Sequence, residues 1–283
     1  MTYEQLLKQS QKEAVKYDKE VEAVKLLLLE LSNQSAHEFY LNLKKEVEVD
    51  FEKMFQMKLS QYLIEDIPVQ HIIGHAYFYG RPFKVSKDVL IPRSETEQLV
   101  EEVLFLYDQY FENQTLRVLD LGTGSGCIGI TLSLEEKNMN VTISDISLDA
   151  LEVAKQNKHF LDSNVEIIHS DLFDHIEGKF DIIVSNPPYI PDQEALENIV
   201  KKEPNVALFG GSLGVDFYKK ILKNIKPFLN DRALIAFEHG YLQKDIIKSF
   251  AYTYLPDSNI LQKQDLQQKD RFTFIGFKDV LKG

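Results

Sequence analysis

From Thr2 to about Asp66 the apolar residues recur three and four positions apart, as in Leu6, Leu7 and Ala14, then Val21, Val24, Leu28 and Leu31. That is the spacing of one helical face. Ser35-Ala36-His37-Glu38 has the form of a capping box, in which a Ser oxygen and a Glu three residues later satisfy each other's free backbone N–H groups, so a helix is expected to start there. Phe51, Met54, Phe55, Met57 and Leu59 supply the apolar face of a further helix. The segment is thus an α-helical module, either a packing unit or one that helps dock a partner.

Pro68 and Gly74 break this pattern, and residues 75–85 read as strand, turn, strand, with the turn at Gly80-Arg81-Pro82. Ser94-Glu95-Thr96-Glu97 repeats the capping-box form before a helix carrying Leu99, Val103 and Leu106. Short β-branched runs then alternate with helical patterns: Leu116 to Leu121, Val141 to Ser144, Val165 to His169, Phe180 to Ser185 and Ala233 to Phe237. Such alternation predicts an α/β fold, a parallel sheet with helices on both faces. Residues 259–262 and 271–277 are too close together for a crossover helix and suit an antiparallel pair at the end of the sheet.

At 283 residues the chain fits a medium α/β domain plus an added module. Its 44% hydrophobic and 27% charged residues are those of a soluble globular protein. No apolar run approaches the roughly 20 residues of a membrane-spanning helix, so no membrane partner is expected. The first ten residues lack the basic and apolar segments of a secretory signal, and the expected location is the cytoplasm. A single cysteine, Cys127, excludes an intramolecular disulfide and a Cys-based zinc site. The histidines show no metal-ligand spacing, and no metal is expected. A net charge of -12 would repel duplex DNA at long range, and no direct nucleic-acid partner is expected.

In open α/β sheets ligands bind beyond the carboxyl ends of the strands. Three such ends carry chemistry. Asp120-Leu121-Gly122-Thr123-Gly124-Ser125-Gly126 runs from a strand into glycines that let the backbone approach a ligand closely. Asp145 ends the next strand, where a carboxylate can accept both hydroxyl protons of a ribose. These two features leave a nicotinamide dinucleotide open. Asp120 is awkward beside a pyrophosphate and natural beside the cationic amino group of a methionine moiety, which tips the choice to S-adenosylmethionine. After a third strand, Asp171 is a candidate acceptor from an adenine amino group and Leu172 a surface for its ring; the alternative for Asp171 is a solvated loop carboxylate.

The sharper signal is Asn186-Pro187-Pro188-Tyr189, directly after the strand Phe180 to Ser185. Two prolines hold the chain extended and kinked, aiming the Asn side chain and adjacent carbonyls into the cleft. An amide nitrogen is a poor nucleophile because its lone pair is delocalised. Accepting its two N–H bonds at the Asn186 oxygen and a proline carbonyl orients it and raises its electron density as a sulfonium methyl approaches. Tyr189 can stack on the flat acceptor. Arg93 can steer a substrate backbone or pair with a nearby carboxylate. Glu238, at a strand end, can line the cleft or cap a helix.

The chain resembles the protein-(glutamine-N5) methyltransferases specific for peptide-chain release factors. The likeness rests on Pro68-Val69-Gln70-His71-Ile72-Ile73-Gly74, Phe78-Tyr79-Gly80, Val89 to Glu97, the glycine loop and Asn186-Pro187-Pro188-Tyr189. Glu203-Pro204, Ala207-Leu208, Gly210-Gly211 and Asp270-Arg271-Phe272 extend it. The resemblance implies a helical domain over 1–70 that docks the release factor, a linking β-hairpin over 71–93, and a seven-stranded Rossmann-like methyltransferase domain over 94–283. It implies transfer of a methyl group from S-adenosylmethionine, leaving S-adenosylhomocysteine, to the glutamine N5 of a Gly-Gly-Gln loop; a monomer is the expected oligomeric state. Gly122 to Gly126 and Asp145 would hold the methionine and ribose parts, Leu172 the adenine, and Asn186 both cofactor and glutamine. Ser94 stands where the family often has proline, and Leu172 where some relatives have an aromatic ring. An adenine-N6 nucleic-acid methyltransferase, which shares the Asn-Pro-Pro-Tyr element, is the competing reading. A cofactor-binding regulator without catalysis is the third.

Overall fold

The computed structural model describes residues 1–282, which form two compact units. The first comprises Met1–His75 with Leu196–Lys202, the second Ala76–Ala195 with everything described from Glu203 onward. Among the described residues no helix is long and apolar enough to cross a membrane.

The first unit is helical: α1 (Tyr3–Lys16), α2 (Val21–Leu31), α3 (Ala36–Asn42), α4 (Val49–Leu63) and the short α5 (Val69–Ile73). Leu6, Ala14, Val24, Leu28, Phe39, Phe55 and Leu59 meet in its core. The Ser35–Glu38 capping box is present at α3. A second box, Thr2 with Gln5, starts α1 and was not anticipated. The apolar face expected of α4 needs one correction. Phe55 and Leu59 are buried, but Met57 is 60% exposed, because two residues of helix rotate a side chain about 200° away from its neighbour's face.

Strands β1 (His75–Phe78) and β2 (Arg81–Lys84) form the expected hairpin. Its turn is tighter than the sequence suggests. Tyr79 and Gly80 both have positive φ, 51° and 72°, so two residues reverse the chain and Arg81 and Pro82 already belong to β2. The helix α6 (Ser94–Phe111) follows, but without the capping box expected at Ser94. Its N-cap is Arg93, which makes no side-chain cap bond. The Glu97 carboxylate accepts instead from the Tyr79 N–H at 2.7 Å, tying the helix start to the hairpin turn.

The remaining elements are β3 (Leu116–Leu121), α7 (Cys127–Glu135), β4 (Met139–Asp145), α8 (Leu148–Phe160), β5 (Glu166–His169), β6 (Phe180–Ser185), α9 (Asp216–Asn224), β7 (Leu229–Glu238), α10 (Lys244–Tyr254), β8 (Asn259–Gln264) and β9 (Asp270–Gly276). The seven strands from β3 onward lie in the order β5-β4-β3-β6-β7-β9-β8. Pairing is parallel from β5 to β7, and β9 is antiparallel to both β7 and β8, as the short 265–270 connection required. Alternate residues of each strand enter different cores. Val118, Ile182 and Val184 pack with Leu99 and Val103 of α6 and Ile128 of α7, while Leu119, Ile183 and Ile235 pack with Tyr218 and Ile221 of α9 and Ile247 of α10. The strand order reverses between β3 and β6, so a crevice opens at their carboxyl ends. Ser185 Oγ donates to the Leu121 carbonyl at 2.6 Å, fastening the two strand ends together there.

Candidate active site

The crevice is a cavity lined by four chain segments that the sequence singled out. Gly122, Thr123, Gly124 and Ser125 come from the loop after β3, Asp145 from the end of β4, Asp171 and Leu172 from the loop after β5, and Asn186, Pro187 and Pro188 from the loop after β6. Arg93 lies on the same wall. Ile146, Ser147, Val206 and Phe217 are among the further lining residues that were not anticipated. Three of the expected residues do not line the cavity: Asp120, Gly126 and Tyr189.

The glycine loop takes its shape from left-handed backbone at Gly122, Gly124 and Gly126, with φ of 74°, 56° and 84°. Side chains rarely tolerate this region, which is why glycine recurs at alternate positions. Asp145 organises the loop. Its Oδ2 accepts the Gly124 N–H and its Oδ1 the Ser147 N–H, both at 2.9 Å, and burial raises its pKa.

Asp120 sits beneath the loop, fully buried. Its Oδ2 accepts from the Thr123 hydroxyl and from the Gly129 N–H, while Oδ1 has no partner among the described residues. Burial, opposed by those two hydrogen bonds, pushes its pKa up to about 6. A buried acceptor left unsatisfied is costly unless a ligand completes it.

Leu172 occupies the left-handed region at φ 47°, an unusual conformation for a branched side chain. The Ser170 hydroxyl donates to its carbonyl at 2.9 Å and the Asp174 N–H to that of Asp171 at 3.1 Å, holding the loop with Leu172 on the cavity wall. Asp171 is exposed.

The Asn186 segment is braced from behind. The Ile190 N–H donates to the Leu208 carbonyl and the Gly210 N–H to that of Ile190, each at 2.9 Å. A Cβ on Gly214 would lie 2.0 Å from the Tyr189 carbonyl oxygen, so only glycine permits this approach. Gln243 Nε2 donates to the Tyr189 carbonyl at 2.6 Å. Tyr189 itself packs, partly buried, against the core between the sheet and α9, and burial raises its phenol pKa. Asn186 Nδ2 donates to the Thr96 hydroxyl at 3.2 Å.

Arg93 is paired with Glu203, whose other oxygen accepts the Ile91 N–H at 2.9 Å. The nearby carboxylate weighed as Arg93's alternative partner is therefore present. Glu238 ends β7 one residue beyond Phe237, which pairs in register with Ser185, so it stands beside Asn186. Its side chain is enclosed beside Thr96 and Asn186, and burial, opposed by those two polar neighbours, raises its pKa to about 7. It caps no helix, since the N-cap of α10 is Gln243. Sequence reasoning passed over Thr96, Gln243 and Gly214. The adjacency of β6 and β7 was the signal that would have promoted Glu238, and it is a property of the sheet order.

This arrangement accords with what the chain is similar to. Residues 103–230 match the methyltransferase small domain family. A "Release factor glutamine methyltransferase" from Bacillus anthracis is 40% identical over 83% of this chain and 84% of its own length. One of the same name from Streptococcus pneumoniae is 36% identical over 97% of this chain and 98% of its own. Among solved structures, a methyltransferase from Pyrococcus furiosus, at 19% identity, superposes with a TM-score of 0.53 over 71% of this chain and 90% of its own, a likeness of fold. The fold and family match define a methyltransferase of the seven-stranded α/β class. The chain belongs to the release factor glutamine methyltransferase family.

Proposed function

We propose that this protein transfers a methyl group from S-adenosylmethionine to the side-chain amide nitrogen of the glutamine in the Gly-Gly-Gln loop of peptide-chain release factors. The observation that carries the reading is that Asn186, Pro187 and Pro188 line the same cavity as the glycine loop and Asp145, so an amide acceptor and an adenosine cofactor would meet at one point.

The residues fit the cofactor's chemistry. Bound S-adenosylmethionine supplies an electrophilic methyl on a sulfonium, together with an ammonium group and a ribose diol. The unpartnered Asp120 Oδ1 suits the ammonium, reached beneath the loop. Asp145 keeps acceptor capacity beyond its two backbone bonds for the diol. Buried carboxyls at 120 and 145 give the region a negative character that favours a cationic ligand over a pyrophosphate. Leu172 and Ile146 offer apolar surface for adenine, and Asp171 an acceptor for its amino group.

Asn186 Oδ1 and a proline carbonyl accept the two N–H bonds of the glutamine amide, orienting the nitrogen and raising its electron density. No base need act before transfer, because the proton leaves once the nitrogen has become cationic. Tyr189 supports this loop and could meet the flat amide only at the cavity edge. Arg93, held by Glu203, presents its remaining donors to the substrate backbone. The exposed Val15, Tyr17, Met57 and Ile64 of the helical unit support a docking role toward the factor, with the enzyme acting as a monomer.

The test is transfer of labelled methyl to unmodified release factor, to a factor whose Gly-Gly-Gln glutamine is replaced, and to DNA. Label on the intact factor alone is expected; label on DNA would overturn the reading. Asn186→Ala should abolish turnover and leave cofactor binding within about threefold.

A further inference from the structure

Asn186 has to present its oxygen, and not its NH2 group, to an acceptor that itself carries N–H bonds. The two ends of a side-chain amide are almost equal in size, so shape alone does not choose between them. Something must therefore hold the NH2 end away from the cavity. In the structure that end donates to the Thr96 hydroxyl at 3.2 Å. Thr96 is buried in the first turn of α6, at 3% exposure, and having accepted from Asn186 it retains one hydroxyl proton to place. The enclosed carboxyl of Glu238 lies beside it, and Glu238 Oε2 has no hydrogen-bond partner among the described residues.

We propose that Thr96 and Glu238 are positioning residues that form a directional chain, Asn186 N–H to Thr96 oxygen and Thr96 O–H to Glu238 carboxylate, which fixes the Asn186 oxygen toward the acceptor amide. This rests on the glutamine-methylation reading of the site and extends it to the residues that set the polarity of Asn186. The chain runs in this sense only while Glu238 is ionised. A protonated carboxyl is itself a donor. It can donate to Thr96 or to the Asn186 oxygen, and either bond weakens the preference for the productive amide orientation.

The groups facing Glu238 come from several elements. Glu95 of α6 opposes its ionisation, while Arg271 of β9 and the polar Thr96 and Asn186 side chains favour it. The phenol of Tyr189 and the Cys127 thiol are electrostatic neighbours that burial keeps neutral. The Tyr218 hydroxyl donates to the Glu238 main-chain carbonyl at 2.7 Å and not to its carboxyl. Burial outweighs the favourable set, bringing the group to about 7. The chain therefore switches on as pH rises through neutrality.

Two measurements test this. In the methyl-transfer assay, wild-type kcat should rise about tenfold or more through an acid limb near pH 7. Glu238→Gln should lower kcat at least tenfold at pH 8 and remove the limb, with the Kd for S-adenosylmethionine changed less than threefold. Thr96→Val should behave likewise, and Thr96→Ser, which restores the hydroxyl, should recover most of the rate. Full activity with an unaltered pH profile in Glu238→Gln would overturn the proposal. The second measurement needs no substrate. The side-chain NH2 resonances of Asn186, identified by their loss in Asn186→Ala, should shift with a midpoint near pH 7 in the wild type and stay fixed in Glu238→Gln. Resonances that do not titrate in the wild type would sink the chain, whereas a wild-type enzyme that leaves release factor unlabelled would sink only the substrate assignment.

Discussion

Gln243 Nε2 lies 2.6 Å from the Tyr189 carbonyl oxygen and 3.1 Å from that of Gly214, so one side-chain amide joins the loop after β6 to the turn before α9. Its Oε1 also accepts the Gly240 N–H at 2.9 Å, which leaves little of the group unused. Removing it strands buried carbonyls, at roughly 1–3 kcal/mol. Gln243→Ala should lower the melting temperature and reduce methyl transfer at least tenfold. Gly214→Ala should cost more activity, because its new Cβ would press on the Tyr189 carbonyl and displace the loop. Thermal melts and initial rates on the two variants check both statements.

Cofactor affinity should depend on pH through Asp120. Its carboxyl is raised to about 6 by burial, and a cationic amino group can pair only with the ionised form. The Kd for S-adenosylmethionine is therefore expected to weaken as pH falls below about 6, by up to about tenfold per unit. Asp120→Asn should bind more weakly at pH 8 and show a flat profile between pH 5 and 8. Titration calorimetry across that range measures it.

Asp145 is expected to serve both the loop and the ribose. Asp145→Ala removes two acceptors from backbone N–H groups at Gly124 and Ser147 as well as any bond to the diol. A loss of cofactor affinity of about 100-fold, near 2.7 kcal/mol, is expected. A 2′-deoxy cofactor analogue should lose less in this variant than in the wild type, which separates the diol contact from loop disorder.

Global stability should fall as pH rises from about 4 to 7. Glu238 and Asp120 have folded-state pKa values of about 7 and about 6, above the ordinary 4.5 and 3.8, so the folded protein binds protons that the unfolded chain has released. Stability from these groups is fully present below the unfolded values and is lost as pH passes the folded ones. The effect is on the order of 1–3 kcal/mol per group. Glu238→Gln should therefore gain melting temperature relative to wild type between pH 5 and pH 8. A constant difference across that range would contradict the assignment.

Local signals exposed most of the sheet. β3 and β6 coincide with their β-branched runs, and the glycine loop, Asp145, Leu172 and Asn186 come together on one cavity as their strand-end positions required. The misses share a physical cause. Ser94 and Glu97 had the spacing of a capping box, but the Tyr79 N–H, from a turn fifteen or more residues away in sequence, competes successfully for Glu97. Asp120 lies under the glycine loop and off the cavity wall, a placement its strand-end position did not foretell, because its Oδ2 is held by Thr123 and Gly129. Thr96 reads as an ordinary helix-start residue until the loop after β6 is brought against it. Each of these depends on which distant group wins a polar partner, and local patterning holds no record of that contest.

Asn157 of α8 gives the glycine loop an unexpected companion. Its Oδ1 accepts the Lys84 N–H at 2.7 Å, and its Nδ2 donates to the Lys84 carbonyl at 3.0 Å and to the Ser125 carbonyl at 2.9 Å. One amide is thus a shared fastener for the second strand of the hairpin and the glycine loop. Neither can fray alone without stranding the buried amide, so the two should exchange their backbone hydrogens as a single cooperative patch. The hairpin of β1 and β2 then acts as a stiffener of the glycine loop.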